Sequence, residues 1–314
     1  MCASLLTNKP ESYFDLKISI ASTSYLAIPT LDLLHKEGHF LSLITKPRTK
    51  SGRGRSEKIT EIEERASQLN IEVFYHDNDR GLSDFLSRNE IDLVITIAYG
   101  KLINEPSLST PRYGWLNLHF SLLPKFRGAA PVQRAILAGE NKTGITIFKL
   151  DSGMDTGPIF LQQQYDISNL NTGEVLDVFA KLGALAFIEV LKDISNESTP
   201  IAQSGEASLA RKVLKEETEI NWHTEAAFNE RKIRAFTPKP GAWTYFGGKR
   251  LRIEKARLSA ESGRPGTILN LDPLLVACKE GAIEILSVCP EGSRSMDAQD
   301  WIRGARISSG ASFG

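Results

Sequence analysis

Cysteine is scarce in this chain. Cys2, Cys278 and Cys289 are the only three in 314 residues, and no two stand at CxxC spacing. That excludes a secreted disulfide framework and a cysteine zinc site, and it fits a reducing cytoplasm. Net charge is missing too: 38 lysines and arginines meet 38 aspartates and glutamates. Overall charge therefore implies no nucleic acid, membrane surface or acidic substrate, and any electrostatic message must be local. Long apolar runs are also lacking. The opening MCASLLTNKPESYFDLK turns polar at Thr7, before a signal-peptide core could form, and no later stretch approaches a membrane span. No repeat or low-complexity tract is evident. The expectation is a soluble, cytoplasmic chain with a short frayed leader.

What is present points to two domains, because 314 residues exceed the needs of one core of ordinary size. From Leu16, short β-rich runs alternate with amphipathic segments, the pattern of an α/β domain whose parallel sheet is covered by helices. Residues 17–21, 40–45, 72–74, 92–98, 115–118 and 144–149 read as strands. Residues 26–36, with Pro29 in the first turn and leucines on one face, read as a helix, as does the apolar-dense 173–191. At 194–208, Ser, Asn, Thr, Pro, Gln and Gly replace the apolar periodicity, which predicts a linker between domains at 1–193 and 209–314. In the second, 241–245, 249–257, 266–269, 274–278 and 282–288 read as strands of a small all-β barrel.

The most informative stretch is 117–157, NLHFSLLPKFRGAAPVQRAILAGENKTGITIFKLDSGMDTG. It begins where a strand should end, and ligand sites in open parallel sheets form at the carboxyl ends of strands. Asn117 and His119 stand two apart in extended chain, so they face one side and converge on one reacting group. A neutral histidine takes or relays a proton near neutral pH, and asparagine donates to a developing oxyanion without changing charge. That is equipment for acyl transfer. Alone, such a pair is more often a turn residue beside a backbone-bonded histidine, but the following residues add weight. In Ser121, Leu122, Leu123 and Pro124 the proline restricts Leu123 to extended geometry, giving a fixed apolar lip suited to a flat heteroaromatic ligand. The same leucines would also serve as an ordinary loop tucked into the core. Asp155 sits in the turn DSGMDTG, where a carboxylate near His119 would orient the ring and stabilise its protonated form. The two Asp-(Ser/Thr)-Gly triplets are not an aspartic protease pair, because Asp151 and Asp155 are four residues apart rather than on facing lobes.

Asn117, His119, SLLP (121–124), FRGAAPVQRAI (126–136) and LDSGMDTGPI (150–159), in this order and spacing, resemble the methionyl-tRNA formyltransferases, and the resemblance spans the whole chain. It implies a Rossmann-like formyltransferase domain followed by a small OB-like barrel, with Asn117, His119 and Asp155 as the catalytic trio. It further implies 10-formyltetrahydrofolate as co-substrate, no metal, and a monomer that acts on initiator methionyl-tRNA. The folate is expected against Ser121, Leu122, Leu123 and Pro124, and against Ile97, Ala98 and Tyr99 of DLVITIAYGKLI (92–103). Glycinamide ribonucleotide formyltransferases, formyltetrahydrofolate hydrolases and sugar-amine formyltransferases resemble this family through the same trio. A noncatalytic RNA-binding protein would share only the basic surfaces.

Two basic features separate these readings. The loop KPRTKSGRGRSEK (46–58) sets Lys46, Arg48, Lys50, Arg53, Arg55 and Lys58 against Glu57 alone. By composition it is a solvated loop; by resemblance it is a finger that meets phosphates near the tRNA acceptor stem. The second feature, RKIRAFTPKPGAW (231–243), matches the family's entry into its barrel. Residues 231–264 hold ten lysines and arginines against Glu254 and Glu261, a local net of +8. Lys249, Arg250 and Arg252 are the expected tRNA face, with Trp243 and Tyr245 in the barrel core.

The chain departs from the family in ISIASTSYLAIP (18–29), which replaces a glycine-containing turn, so that Ser22 or Ser24 occupies a position where backbone freedom would help. Phe120 is bulkier than the family's residue, and tightens the folate pocket or packs in the core depending on where its ring points. His35, His39, His76 and His223 lack a partnering cluster and are expected in capping or surface roles. Cys278 and Cys289 are expected to pack as small hydrophobes.

Overall fold

The computed structural model describes residues 16–48, 50–51, 56–57, 59–308 and 310–314. The expected leader, Cys2, and Arg53, Arg55 and Lys58 of the basic loop lie outside the described residues. The first elements are β1 (Lys17–Ala21), α1 (Ile28–Lys36), β2 (Phe40–Thr45), β3 (Lys50–Ser51), β4 (Ser56–Glu57), α2 (Glu61–Gln68), β5 (Glu72–Tyr75) and α3 (Asp79–Arg88). They continue as β6 (Leu93–Thr96), β7 (Trp115–His119), α4 (Pro131–Ala138), β8 (Lys142–Lys149), β9 (Ile159–Asp166) and α5 (Thr172–Ser195). Beyond these come α6 (Ala226–Phe236), β10 (Ala242–Phe246), β11 (Lys249–Ser259), β12 (Ile268–Leu271), β13 (Leu274–Ala277), β14 (Ala282–Pro290), β15 (Met296–Asp297) and α7 (Ala298–Ala305). They form two compact units: one holds the described residues up to His119 with Ile145–Gln163 and Phe179–Glu206, the other Phe120–Gly144, Gln164–Val178 and Ala207–Gly314.

The first unit is built on a Rossmann-like α/β sheet of order β5-β2-β1-β6-β7-β8-β9. β5, β2, β1, β6 and β7 pair in parallel, and their centre is a run of fully buried Ile18, Ile20, Leu43, Val94 and Ile95. The sheet is mixed rather than wholly parallel, because β8 runs antiparallel to β7 with His119 opposite Thr146. Apolar alternation marks a strand but carries no sign of its direction. Along β7 the pleat decides what each residue meets. Leu118 faces α5 so closely that a Cβ on Gly183 would fall 2.2 Å from its Cδ2. Trp115 points into a cluster with Leu82, Phe85 and Leu86 of α3. Asn117 and His119 share the Trp115 side of the strand and stand at its carboxyl end.

α2 and α3 escape a reading by apolar periodicity because each buries only a narrow stripe: Ile62 and Ala66, and Leu82, Phe85 and Leu86. Their start signals are nonetheless explicit. Thr60 and Glu63 form a capping box, and the Asn78 side chain accepts from the Gly81 amide. β9, IFLQQQYD, was hidden by its glutamines and half-exposed pattern. Within 194–208, Ile201 exchanges two backbone hydrogen bonds with Ile159 at 2.7 and 2.8 Å.

The second unit carries an all-antiparallel sheet of order β10-β11-β14-β13-β12, with β15 on β14. Ala242, Thr244, Leu251, Ile253 and Val288 lie buried on its inner side. Strand alternation places Trp243 and Tyr245 on the other side of β10, which corrects their expected place in the core. The aromatic packing of this unit comes instead from Phe246, Trp301 and Phe313, with Trp222 against Phe313 at 5.4 Å between ring centres. Cys278 is buried and Cys289 half-buried. Among the described residues no helix is long and apolar enough to cross a membrane.

Candidate active site

Parallel pairing sets Asn117 beside Thr96, the last residue of β6. The Asn117 Nδ2 donates to Thr96 Oγ1 at 2.7 Å, and that hydroxyl donates in turn to the Leu116 carbonyl at 3.1 Å. Thr96 is 3% exposed, so this relay is shielded from water and fixes which way the amide points. Two residues on, His119 ends the strand with its imidazole buried and meets the Phe148 ring edge-on at 6.4 Å.

Asp155 reaches His119 from the turn that follows β8, with its Oδ2 3.7 Å from the ring Nδ1. The turn divides its two aspartates by task. Asp151 Oδ1 accepts from the Gly153 amide at 3.0 Å and the Thr156 hydroxyl at 2.7 Å, so it braces the loop from within. Asp155 sits in the left-handed region at φ 54°. Gln203 Nε2 donates to the carbonyls of Asp155 at 2.8 Å and Gly157 at 2.9 Å, clasping the turn across the residue that meets the histidine. Gly157 is required: a Cβ there would lie 1.7 Å from the Lys149 carbonyl oxygen. The structure thus brings together the three residues expected to be catalytic.

The turn after β6 opens one residue beyond Thr96. Ile97 is fully buried and Tyr99 is 3% exposed. Of the three expected folate contacts here, only Ala98 turns outward, at φ 49°. The turn therefore presents backbone and a methyl group rather than aromatic surface. Ser22 is fully buried; its Oγ donates to the Ile97 carbonyl at 2.7 Å and accepts from the Ser24 amide at 3.0 Å. Ser24 lies at φ −122° and caps the short 3-10 turn 25–27 through the Leu26 amide. The two serines supply hydrogen bonds where backbone freedom had been expected, and Ser24's own conformation is open to any residue.

The segment carrying Ser121, Leu122, Leu123 and Pro124 belongs to the second unit. Ser121 is fully buried and donates from Oγ to the Lys125 carbonyl at 2.6 Å, closing the turn on itself. Leu123 and Pro124 are buried as well, so the apolar lip narrows to half-exposed Leu122. Phe120 is also buried.

Among the expected tRNA contacts, Arg48 is engaged by its own fold. Its Nε lies 3.0 Å from Glu63 Oε1, and its guanidinium sits 5.4 Å from the Tyr75 ring centre. Burial would raise the Glu63 carboxyl, but hydrogen bonds from Thr60, Arg48 and Tyr75 outweigh it and hold the carboxyl below its ordinary value. On β11, Lys249 and Arg250 are exposed, with the Arg250 guanidinium 3.9 Å over the Trp243 ring, while Arg252 pairs with Glu254. The backbone of Lys50 lies opposite that of Glu57 in the β3–β4 ladder.

Three residues of the site escaped the sequence reading: Thr96, Gln203 and His76. His76 is buried against the Tyr99 hydroxyl with Asp79 beside it, so it does have the partnering cluster it was expected to lack. The aspartate three residues on was the available sign. Among the described residues there is no group of three His, Cys, Asp or Glu side chains able to hold a metal ion.

The class follows from fold and site together. The formyl transferase family model matches residues 18–191, and the model for the formyl transferase C-terminal domain matches 212–306. HypX from Aquifex aeolicus in complex with tetrahydrofolic acid shares the fold at TM-score 0.68 and 16% identity, over 94% of this chain; this chain spans about half of HypX, 48%. A methionyl-tRNA formyltransferase structure from Clostridium thermocellum aligns at TM-score 0.57 and 20% identity, over 79% of this chain and 95% of that one. The methionyl-tRNA formyltransferase of Jannaschia sp. is 35% identical over 300 residues, 94% of this chain and 99% of its own length. The chain belongs to the methionyl-tRNA formyltransferase family.

Proposed function

We propose that this chain transfers the formyl group of 10-formyltetrahydrofolate to the α-amino group of methionyl-initiator tRNA, yielding N-formylmethionyl-tRNA for translation initiation in the cytoplasm. The observation that carries this reading is the meeting of His119 and Asp155, 3.7 Å apart, at the end of the strand that bears Asn117. Esterification to tRNA lowers the basicity of the methionyl amine, which attacks in its neutral form. Its nitrogen bonds to the formyl carbon, the carbon–N10 bond breaks, and the proton lost by the attacking nitrogen ends on N10. Asn117, with one N–H held by Thr96, offers the other to the tetrahedral oxyanion. His119 relays the proton, and Asp155 stabilises the ring while it is charged. No bond to the enzyme is required.

The folate is assigned to Ile97, Ala98 and Tyr99 and to Ser121, Leu122, Leu123 and Pro124. Within the first stretch outward-turned Ala98, and within the second half-exposed Leu122, support this assignment. The tRNA is assigned to Lys50, Arg53, Arg55 and Lys58 of the basic loop and to Lys249, Arg250 and Arg252, a reading supported by the local excess of positive charge in a neutral chain. Residues 1–193 are assigned to catalysis and 209–314 to tRNA binding, joined through 194–208.

The test is formyl transfer from 10-formyltetrahydrofolate to charged initiator tRNA, charged elongator tRNA and a sugar amine. Wild type should prefer the initiator. Asn117→Ala should cost about 10²–10³ in kcat, the usual loss for one oxyanion donor, and His119→Ala should abolish turnover. Transfer to the sugar amine alone would sink the tRNA reading; no transfer to any acceptor would sink the catalytic one.

A further inference from the structure

We infer that His76 is a positioning residue for the folate-binding turn: its imidazole holds Tyr99, and through Tyr99 the turn 97–100, in the shape that the folate meets. The inference rests on the assignment of folate to Ile97, Ala98 and Tyr99.

His76 follows β5 and continues its ladder, its amide donating to the Thr45 carbonyl at 2.8 Å. The ring is fully buried. Nδ1 lies 2.7 Å from the Tyr99 hydroxyl, and Nε2 lies 3.5 Å from Asp79 Oδ1, at the edge of hydrogen-bond range. The Asn104 amide donates to the other Asp79 oxygen at 2.9 Å and holds that carboxyl below its ordinary value, so it is ionised and accepts only. A neutral imidazole with its proton on Nε2, toward that carboxylate, leaves Nδ1 to accept from the Tyr99 hydroxyl. A phenol 3% exposed must find such a partner or lose its hydrogen bond outright.

The same two segments are tied a second time. Lys101 Nζ donates to the carbonyls of His76 at 2.8 Å and Asp77 at 3.2 Å, so Tyr99 and Lys101 both fasten the turn to the end of β5. Between these ties and Ser22 lies Ala98 at φ 49°. Alanine lacks glycine's freedom there, and a left-handed alanine persists only where its surroundings over-determine it. Ser22 and Lys46 grip the Ile97 and Gly100 carbonyls; His76 grips the side chain between them. Because Ala98 is the outward residue, any relaxation of the turn redirects the backbone groups that a folate would meet.

The experiment measures tetrahydrofolate binding, thermal midpoint and steady-state formyl transfer for wild type, His76→Ala, His76→Gln, Tyr99→Phe and the double variant His76→Ala/Tyr99→Phe. Loss of one buried hydrogen bond should weaken tetrahydrofolate binding and raise KM for the formyl donor roughly tenfold in His76→Ala. With saturating folate, kcat should stay within about twofold, because the trio is untouched. Glutamine, which can accept from the Tyr99 hydroxyl, should restore most of the affinity. The double variant should bind no worse than His76→Ala, since both changes remove one interaction. Wild-type affinity in both His76→Ala and Tyr99→Phe, or additive losses in the double variant, overturns the inference. So does a fall in kcat at unchanged KM. If His76→Ala does not fold, Tyr99→Phe and His76→Gln decide it by the same KM criterion. A wild type that binds no tetrahydrofolate fails the folate assignment itself, a different outcome from a wild type that binds and variants that match it.

Discussion

At the scale of single residues, the amide of Asn117 depends on Thr96. Valine matches threonine in shape but replaces the accepting hydroxyl with a methyl group, which leaves the half-buried Asn117 amide without its Thr96 acceptor. Thr96→Val should lower kcat about tenfold with KM for tRNA little changed, whereas Thr96→Ser should stay near wild type. Steady-state kinetics on charged tRNA decides this, and equal losses in both variants would count against the relay. His76 adds a pH dependence. Its burial first, then the Lys101 ammonium, hold the imidazole below its ordinary value of 6.5, against the opposing pull of Asp79 and Asp77. A depressed histidine pKa favours the neutral ring, which can accept from the Tyr99 hydroxyl; as pH falls below that value the charged ring can only donate, and the phenol O–H loses its acceptor. Tetrahydrofolate affinity should be flat near neutrality and decline only once pH has fallen below the ordinary histidine value of 6.5, and His76→Gln should remove the decline. The placement of Asn117 and His119 on one strand face and of Asp155 in a turn was legible because a strand end and a glycine-rich turn spell these out locally. Thr96, Gln203 and His76 act across 21, 48 and 23 residues of sequence, and no periodicity or turn chemistry announces a partner at that distance.

At the scale of elements, the placement of Asn117 and His119 on one side of β7 requires Leu118 to have a tight seat on the other. Gly183 in α5 provides it. A Cβ there would meet three atoms of Leu118 at 2.2, 2.8 and 3.1 Å, so no rotation of one methyl clears the clash. Helix propensity favours alanine by about 1 kcal/mol, but overpacking costs about 1–3 kcal/mol. Gly183→Ala should therefore lower Tm. Gly304 in α7 has nothing within 4 Å of its Cβ position, and Gly304→Ala should raise stability by about 0.5–1 kcal/mol. Thermal melts of the two variants should move in opposite directions; a shared direction would mean that Leu118 relaxes freely. Most of the longer strands and the two most apolar helices could be read from apolar spacing, since they bury whole faces. α2, α3 and β9 could not, because few of their residues reach the core, and the antiparallel turn of β8 is a property of pairing rather than of any residue in it.

At the scale of the whole molecule, equal numbers of acidic and basic residues give no long-range pull on a polyanion, so tRNA affinity must rest on a few local cations. Each phosphate neutralised releases counterions, and the slope of log affinity against log salt counts such contacts. Lys249 and Arg250 are exposed, and removing both by Lys249→Ala/Arg250→Ala should make the slope shallower by about one to two units. Arg48 belongs to the same basic loop in sequence but is bound to Glu63. Arg48→Ala should leave the slope unchanged and act on stability instead. The Glu63 carboxyl, held below its ordinary value of 4.5, contributes stability that is present above 4.5 and is lost as pH falls from there through the lower value it has in the fold. Without Arg48, part of that contribution should vanish near neutrality, and the acid-unfolding curve should flatten. Filter-binding titrations of charged tRNA at several salt concentrations, paired with melts across pH, separate the two roles. A slope that drops by one unit in Arg48→Ala would mean that the guanidinium leaves Glu63 for a phosphate when tRNA arrives.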